Sequence, residues 1–383
     1  MGLEIWSHHN PVRIHFGRGC RGGLIEILAD QQALIVCSPR GRQQLESDPM
    51  LGPALNSNYL VWMDMVEKNP DLHRLQDKVN GLSDVQVNCV IAFGGGSAID
   101  SAKVLALALS PIARCHSLQE LLDDAPEYPA GASLPLYALP TTAGTGSEVT
   151  PYATVWNHAL RRKLSLAGPA VYPHTAFIDP ELSDSVPYDS TLNTGLDAIN
   201  QAAESIWNRN MTPMSEVLAH RALQLGMTAL PRLLNDLENP NLRDIMAEVS
   251  LLAGLAISQT RTSLCHSISY PLTAHFGVPH GLACAFTMPA VLRHNLKADD
   301  GRFGRLAKVF SNHFDDKSET LIQRFDTLNQ QLNVAEQVRK MIGSLDKLIE
   351  LRDQMYTLGR VDNVLSSINL ISLENILCDA YRM

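Results

Sequence analysis

The sequence lacks several features that would assign it to particular classes of protein. It has no run of about 18 uninterrupted apolar residues, the length that a membrane-spanning helix requires. Its opening segment, MGLEIWSHHNPVRIHFGRGC, has no basic stretch leading into an apolar one, so we expect a cytoplasmic protein without a secretory signal. Positive charge is not in excess, because 40 acidic residues outnumber 31 basic residues. The net charge of -9 disfavours nucleic acid and anionic membranes as partners and favours a small molecule.

Paired cysteines are also missing. The seven cysteines stand singly at positions 20, 37, 89, 115, 265, 284 and 378, and no two of them form a CxxC pair. Neither a zinc knuckle nor a disulfide framework is therefore indicated. We expect most of these cysteines to be small buried residues.

The chain of 383 residues is long enough for two domains, and the pattern of apolar segments differs between its two halves. Buried strands are predicted at 33–38, 60–66, 89–97, 134–142 and the beginning of 175–189. The segments between the first three are long enough for crossover helices, whereas the pattern from about residue 188 onward is helical. We therefore predict an α/β domain with a parallel, doubly wound sheet at residues 1–186 and an all-α domain at residues 187–383.

Two loops rich in glycine and hydroxyl side chains follow predicted strands of this sheet. The first, FGGGSAIDSAK at 93–103, opens a predicted helix, whose unpaired N–H groups and positive dipole end favour an anion. The second is PTTAGTGSEVT at 140–150. The first loop alone is also compatible with a tight turn that binds nothing. Two such loops at strand ends of one sheet predict a crevice for a nucleotide diphosphate.

The order of five motifs resembles that of the iron-containing, or group III, alcohol dehydrogenase family. The motifs are GGGSAIDSAK, PTTAGTGSEVT, AFIDPEL, GLDA and HSISYPLTAHFGVPHG, and the similarity weakens after about residue 295. The resemblance implies an N-terminal nucleotide-binding domain, a helical C-terminal domain, and a divalent metal that meets a nicotinamide in the cleft between them. It also suggests a homodimer. Fe²⁺ is the first expectation for the metal, and Zn²⁺ is the second.

The resemblance also implies that particular residues of this chain bind the cofactor. The positions that match the pyrophosphate turn and the second loop are Gly95, Gly96, Ser97, Thr141, Thr142 and Thr150. Asn69, Lys163 and Leu182 match positions near the cofactor, the last two beside its ribose and its nicotinamide. Without the resemblance, Lys163 would equally be a solvated charge in a basic run.

The segment VCSPRGR departs from the NAD-preferring members of that family. Those members have an acid where this chain has Ser38, and Arg40 and Arg42 follow it directly. Loss of the acid removes repulsion toward a 2′-phosphate, and arginine can bind a phosphate with two hydrogen bonds. We expect a preference for NADP(H) over NAD(H), although two arginines on a surface loop would produce the same sequence.

The metal ligands implied by the resemblance are an Asp and a His four residues apart on one helix, and two later histidines. Asp197, His266 and His280 match three of these positions, but Gln201 stands where the family has its first histidine. Residues four apart share a helical face, so Gln201 is placed to reach the same ion. Three interpretations are open. Gln201 coordinates through its oxygen, a three-ligand site is closed by water as in the glycerol-dehydrogenase branch, or metal binding is lost.

Two further residues concern catalysis and the substrate. Tyr270 replaces a histidine that many members have near the nicotinamide, so it either moves a proton or shapes the pocket. Arg261 precedes His266 by five residues, about one and a half turns if the helix is continuous. A buried arginine there would bind an anionic tail; the alternative is that it pairs with a buried acid or caps a helix.

The resulting expectation is a metal-dependent alcohol dehydrogenase or aldehyde reductase that transfers a hydride between NAD(P)H and a small aldehyde. The run around His266, with ESIWNRNMTP, resembles the phosphonoacetaldehyde-reductase branch, which suggests an aldehyde with an anionic tail. The alternatives are an enzyme of the dehydroquinate-synthase or glycerol-dehydrogenase type, which shares the two-domain plan, and a metal-free member without activity.

Overall fold

The fold is described from a computed structural model of the chain. The described residues are 5–29, 31–55, 60–82, 84–114, 116–123, 128–160, 162–310 and 318–383. Their contacts divide the chain into two units, residues 10–186 and residues 187–383 together with residues 1–9. Cys115 lies outside the described residues, and the other six cysteines are free thiols.

The first unit is built on a sheet whose central strands are buried on both faces. Its strands are β1 (Arg13–Phe16), β2 (Ala33–Val36), β3 (Leu60–Met63), β4 (Cys89–Gly94), β5 (Leu136–Pro140), β6 (Tyr152–Asn157), β7 (Arg162–Ala167) and β8 (Thr175–Ile178). Within the described residues, six of them form a parallel sheet in the order β1-β8-β5-β4-β2-β3. This confirms the predicted α/β fold with a parallel sheet.

The helices of this unit cover both faces of the sheet. They are α1 (Leu24–Ala29), α2 (Pro39–Ser47), α3 (Leu72–Gly81), α4 (Gly96–Ala108) and α5 (Leu118–Asp123). In β2, Leu34 and Val36 pack into one core while Ala33 and Ile35 pack into the other. A strand buried on both faces needs apolar residues at every position, which is why the central strands were predictable from continuous apolar runs.

The prediction for this half omits three strands that the structure contains. β1 lies at the edge of the sheet and is largely exposed, so its sequence RIHF has no apolar run. β6 and β7 form a separate antiparallel hairpin, and β7 has a half-exposed pattern with charged residues at its start. Edge and hairpin strands need only one buried face, and for that reason their signal in the sequence is weak.

The second unit is helical, as predicted. Its helices are α6 (Tyr188–Ile206), α7 (Pro213–Asn235), α8 (Pro240–Thr260), α9 (Leu264–Phe276), α10 (His280–Asn295), α11 (Arg302–Phe310), α12 (Ser318–Gln331), α13 (Val334–Ile342), α14 (Leu345–Glu350) and α15 (Leu370–Arg382). α6 packs against α7, α8 and α10 and is buried without interruption from Gly195 to Ile206. Across the described helices, none combines the length and apolarity needed to cross a membrane.

Candidate metal centre and coenzyme site

Three predicted metal ligands come together in the helical unit. Asp197 from α6, His266 from α9 and His280 from α10 place their donor atoms, with the sulfur of Cys284, within 4.8 Å of one another. Asp197 Oδ1 lies 3.4 Å from His266 Nε2 and 3.8 Å from His280 Nε2. Asp197 and His266 are buried, whereas the side chain of His280 is partly exposed.

Cys284 is a member of this cluster that the sequence analysis overlooked. It lies one helical turn after His280 on α10, and its sulfur is 3.9 Å from His280 Nε2. The signal was present in the sequence HGLAC, because residues four apart on a helix share one face. The expectation that the cysteines are small buried residues is correct about the burial of Cys284, but it ignores the sulfur as a donor.

Gln201 is buried beside Asp197, one turn later on α6. Its amide nitrogen donates a hydrogen bond to Asp197 Oδ2 at 3.1 Å, while Oδ1 faces the two histidines. Gln201 thus contacts the predicted ligand Asp197 directly. Whether it also coordinates a metal stays a prediction.

Glu204 is the second residue that the sequence analysis overlooked. It is fully buried on α6, and its Oε2 accepts a hydrogen bond from His266 Nδ1 at 2.7 Å. The same carboxylate accepts the backbone N–H groups of Ser263 at 2.8 Å, Cys265 at 2.6 Å and His266 at 3.3 Å. Glu204 therefore caps the first turn of α9 and fixes the His266 ring with Nε2 directed at Asp197.

An aromatic ring lies against His280, and a cation lies over that ring. The ring of Tyr270 stacks on that of His280 with 6.0 Å between centroids, and the guanidinium of Arg360 lies 5.6 Å from the Tyr270 ring. Ser269 Oγ lies 3.2 Å from His280 Nδ1 and orients this imidazole. Arg360 gave no signal in the sequence, because 80 residues of chain separate it from His280.

The electrostatics of the cluster favour a cation. Burial lowers the pKa of His266, but Cys284 and Glu204 outweigh burial and hold that pKa well above its usual range. Burial raises the pKa of the Cys284 thiol, yet His266 and His280 outweigh it and lower that pKa to about 7. Several anionic groups thus share one buried volume, and positive charge there stabilises all of them.

The donor set also fits the size of a divalent ion. A tetrahedral ion with metal–ligand bonds of about 2.0–2.3 Å separates its donors by about 3.3–3.8 Å. The observed separations from Asp197 Oδ1 to His266 and to His280 are 3.4 and 3.8 Å. Carboxylate, imidazole and thiolate are ligands that Zn²⁺ and Fe²⁺ accept. All donors of the cluster lie within 4.8 Å of one another, so side-chain movements alone would bring the more distant ones to such an ion.

The two predicted phosphate loops of the α/β unit pack against each other. Gly95 precedes α4, and a Cβ at this position would lie 2.9 Å from Thr142 Oγ1; a Cβ at Gly96 would lie 2.7 Å from Thr145 Cγ2. The backbone N–H of Thr141 donates to the Gly94 carbonyl at 3.1 Å. The neighbouring threonines thus leave no room for a Cβ at Gly95 or Gly96. The two glycines keep the N-terminus of α4 open to an anion.

Other predicted coenzyme residues lie around these loops. The Asn69 N–H donates to Ser97 Oγ at 3.3 Å, which brings two of the predicted positions together. Thr150 is buried, and its carbonyl accepts a hydrogen bond from the buried Lys103 at 2.7 Å. Lys163 lies on β7 opposite Trp156. Burial raises the pKa of Asp100, and Lys103 and, more weakly, Lys163 oppose this shift.

The segment after β2 has the geometry of a helix cap. Ser38 accepts the N–H of Gly41 at 3.1 Å and so begins α2, while Arg40 is exposed. Arg42 is held by ion pairs to Asp64 at 2.7 Å and Glu46 at 2.8 Å. Arg40 is consequently the more accessible of the two arginines.

Leu182 belongs to the packed core on one face of the sheet and is 3% exposed. Its carbonyl accepts a hydrogen bond from the Gln44 side chain at 3.2 Å. A contact between Leu182 and a nicotinamide remains a prediction.

No continuous helix connects Arg261 with His266, although the predicted role of Arg261 depended on one. α8 ends at Thr260, Arg261 has a positive φ of 65°, and α9 begins at Leu264. The Asn208 side chain donates to the Arg261 carbonyl at 3.1 Å, so the chain turns there, and the Arg261 side chain is exposed. The break places the N–H groups of α9 against Glu204. The substrate-binding role of Arg261 therefore loses its helical argument and remains untested.

Comparisons with known proteins agree in both halves of the chain. The model of the iron-containing alcohol dehydrogenase family matches residues 11–180, and that of the C-terminal domain of Fe-containing alcohol dehydrogenases matches residues 191–350. Phosphonoacetaldehyde reductase of Streptomyces viridochromogenes is 37% identical over 218 residues, which is 56% of this chain and 55% of that protein. Choline dehydrogenase of Bacillus subtilis is 30% identical over 304 residues, which is 78% of this chain and 75% of that protein.

A solved structure covers the whole chain. Sulfoacetaldehyde reductase from Bifidobacterium kashiwanohense, in complex with NAD⁺, superposes with a TM-score of 0.86 at 27% identity. The superposition covers 99% of this chain and 99% of that chain.

Proposed function

The chain belongs to the iron-containing alcohol dehydrogenase family, and from this premise we propose that it is a metal-dependent aldehyde reductase. The observation that carries the proposal is the buried convergence of Asp197, His266 and His280. When bound, a divalent cation would polarise the carbonyl oxygen of an aldehyde as a Lewis acid, and reduced nicotinamide would supply a hydride to its carbon.

The remaining steps belong to residues of this chain. Glu204 accepts the hydrogen bond of His266 Nδ1, so that Nε2 is the ring nitrogen that would give up its proton and bind a cation. The alcohol product requires a proton on its oxygen, and the stacking of Tyr270 on His280 supports Tyr270 as the group that delivers it. If Tyr270 only shapes the pocket, Tyr270→Phe will retain the wild-type kcat and its dependence on pH.

We propose an aldehyde with an anionic tail, such as phosphonoacetaldehyde, as substrate. The support is that one relative reduces phosphonoacetaldehyde and a structural neighbour is a sulfoacetaldehyde reductase, and both of these aldehydes are anionic. In this chain, Arg360 supplies positive charge beside the ring that stacks on His280, and Arg261 is the residue that the sequence suggested. Replacing each arginine by alanine separates the two candidates.

For the coenzyme we propose NADPH in preference to NADH. The support is the absence of an acid at Ser38, whose hydroxyl only caps α2, together with the exposed guanidinium of Arg40 two residues later. A homodimer, which the family suggests, is part of the same proposal, and sedimentation of the purified protein tests it.

The proposal is tested with purified protein loaded with Fe²⁺ or Zn²⁺ and its metal content measured. Oxidation of NADPH and NADH is then followed with phosphonoacetaldehyde, sulfoacetaldehyde and neutral aldehydes of similar length. We expect the highest kcat/KM for an anionic aldehyde with NADPH. Bound metal without turnover of any aldehyde would refute the proposed activity, whereas equal rates for neutral and anionic aldehydes would refute only the substrate class.

A decisive variant within the same assay is Arg360→Ala. If Arg360 binds the tail, KM rises much more for anionic aldehydes than for neutral ones, because only an anionic tail pairs with the lost charge, whereas the lost contact with the Tyr270 ring affects both classes alike. Arg261→Ala, at an exposed arginine, is assayed in parallel as the rival candidate. A selective effect of Arg261→Ala alone would return the anchor role to the residue suggested by the sequence.

A further inference from the structure

The metal cluster contains one donor, the sulfur of Cys284, that is not among the predicted ligands. We propose that the thiolate of Cys284, rather than the amide of Gln201, is the fourth protein ligand of the metal, and that Gln201 positions Asp197 from outside the coordination sphere. The inference rests on the proposed metal centre but not on the identity of the substrate or coenzyme.

The position of Cys284 is the first argument. Its sulfur lies 3.9 Å from His280 Nε2 and belongs to the set of four donors that lie within 4.8 Å of one another. His280 and Cys284 are separated by one turn of α10, so the helix itself directs both toward the same point. Cys284 is fully buried at this place, and cysteine sulfur is a common ligand of divalent metals in proteins.

The hydrogen bond of Gln201 is the second argument. Its amide nitrogen lies 3.1 Å from Asp197 Oδ2. Exchange of the amide oxygen and nitrogen would place the oxygen against a carboxylate oxygen, and both atoms are acceptors, so the observed orientation is the favourable one. The hydrogen bond fixes the carboxylate so that Oδ1 faces His266 and His280. Gln201 is thereby a positioning residue for Asp197.

The donor set has a consequence for the choice of metal. A thiolate is a softer ligand than an imidazole or an amide, and it favours Zn²⁺ over harder ions. One carboxylate and one thiolate would together neutralise a divalent ion, and the two imidazoles would be its other protein ligands. The side chain of His280 is partly exposed, which would leave a substrate access to such an ion.

The experiment uses the full chain with Co²⁺ in place of the native metal. Cobalt bound to a thiolate has a charge-transfer band in the near ultraviolet, which carboxylate, imidazole and amide ligands do not produce. We expect one Co²⁺ per chain and this band in the wild type and in Gln201→Ala. We expect its loss in Cys284→Ala and Cys284→Ser, with a fall in metal affinity of at least about 100-fold, because even outer-sphere partners are worth about 10–100-fold.

Two further variants complete the test. Cys265→Ala removes a neighbouring buried thiol that is not in the cluster and should retain the band. The double variant Gln201→His/Cys284→Ala offers an imidazole in place of the thiolate and should recover metal affinity without the band. If the cysteine variants fail to fold, the wild-type spectrum alone decides whether a thiolate is bound.

Two outcomes of these measurements would refute the inference, and a third would support it. Stoichiometric cobalt without a thiolate band in the wild type refutes the role of Cys284 while leaving the proposed reductase intact. A wild-type protein that binds no metal refutes both. A band that disappears only when Cys284 is replaced supports the inference, even if no aldehyde tested is a substrate.

Discussion

Replacement of Glu204 by glutamine tests whether one carboxylate holds both α9 and the metal centre. Each carboxylate oxygen faces two N–H donors: Oε1 accepts from Cys265 and His266 at 2.6 and 3.3 Å, and Oε2 accepts from Ser263 and the His266 ring at 2.8 and 2.7 Å. In Glu204→Gln, one oxygen becomes an NH₂ group. Whichever way the amide turns, two buried donors then face another donor.

The expected cost follows from these contacts. A buried donor without an acceptor costs about 1–3 kcal/mol, so the free energy of unfolding falls by about 2–6 kcal/mol if two donors stay unpaired, and by about 1–3 kcal/mol if the His266 ring moves its proton. If the NH₂ group faces the ring, the proton of His266 shifts to Nε2 and blocks the lone pair needed by a metal. Metal affinity should then fall by about 10–100-fold, as for other partners of metal-bound imidazoles.

Urea unfolding and competition for Zn²⁺ with a chelating dye measure the two effects. Glu248→Gln is the matched control, since Glu248 pairs with Arg221 at the surface and its loss should cost less than about 1 kcal/mol. A Glu204→Gln protein with wild-type unfolding free energy and metal affinity would refute this account of α9 and of His266.

Three other predictions concern the α/β unit. Gly95→Ala places a Cβ 2.9 Å from Thr142 Oγ1 and should weaken NADPH binding at least tenfold by calorimetry, while Gly81→Ala, where nothing lies within 4 Å, should leave it unchanged. Burial raises the pKa of Glu148 to about 7, so the folded protein binds its proton more tightly than the unfolded chain does. The Glu148 contribution to stability is complete below about pH 4.5 and is lost as the pH rises to about 7. Glu148→Gln should therefore gain up to about 3 kcal/mol over the wild type across that interval in urea titrations, and a constant difference would contradict the cause. Ser38→Asp combined with Arg40→Ala should move the preference from NADPH toward NADH in steady-state assays; an unchanged ratio of kcat/KM would show that these residues do not contact the ribose.

The sequence predicted those parts of the fold and site that depend on local pattern. Continuous apolar runs identified β2, β4 and β5 because these strands are buried on both sides. The helical half was equally clear, since α6, α7 and α8 are long helices with buried residues along their whole length. β1 and the β6–β7 hairpin were missed because their exposed faces carry polar residues, so that no continuous run marks them.

The site was predictable in part for a related reason. Asp197, His266 and His280 match ordered motifs, whereas Glu204 and Cys284 act through neighbours that only the packing of α6, α9 and α10 brings together. Each of the two has a helical spacing from a predicted ligand, seven residues for Glu204 and four for Cys284. Arg360 has no such relation, and the break at Arg261 depends on contacts with Asn208 and Glu204 that lie more than 50 residues away.

The helix α4 is bonded to the loops and strands around the predicted phosphate-binding turn. It begins at the glycine turn. Its Asp100 carboxylate accepts hydrogen bonds from the Ser147 hydroxyl at 2.5 Å and from the Thr154 N–H at 2.9 Å. Its Lys103 ammonium donates a hydrogen bond to the Tyr152 carbonyl at 2.6 Å. These loops are thus ordered when the chain folds. Binding of a ligand therefore does not lose further chain entropy in them, a loss that often opposes association. The nucleotide should meet a rigid cradle, and its association rate should be limited by diffusion and orientation rather than by closure of these loops.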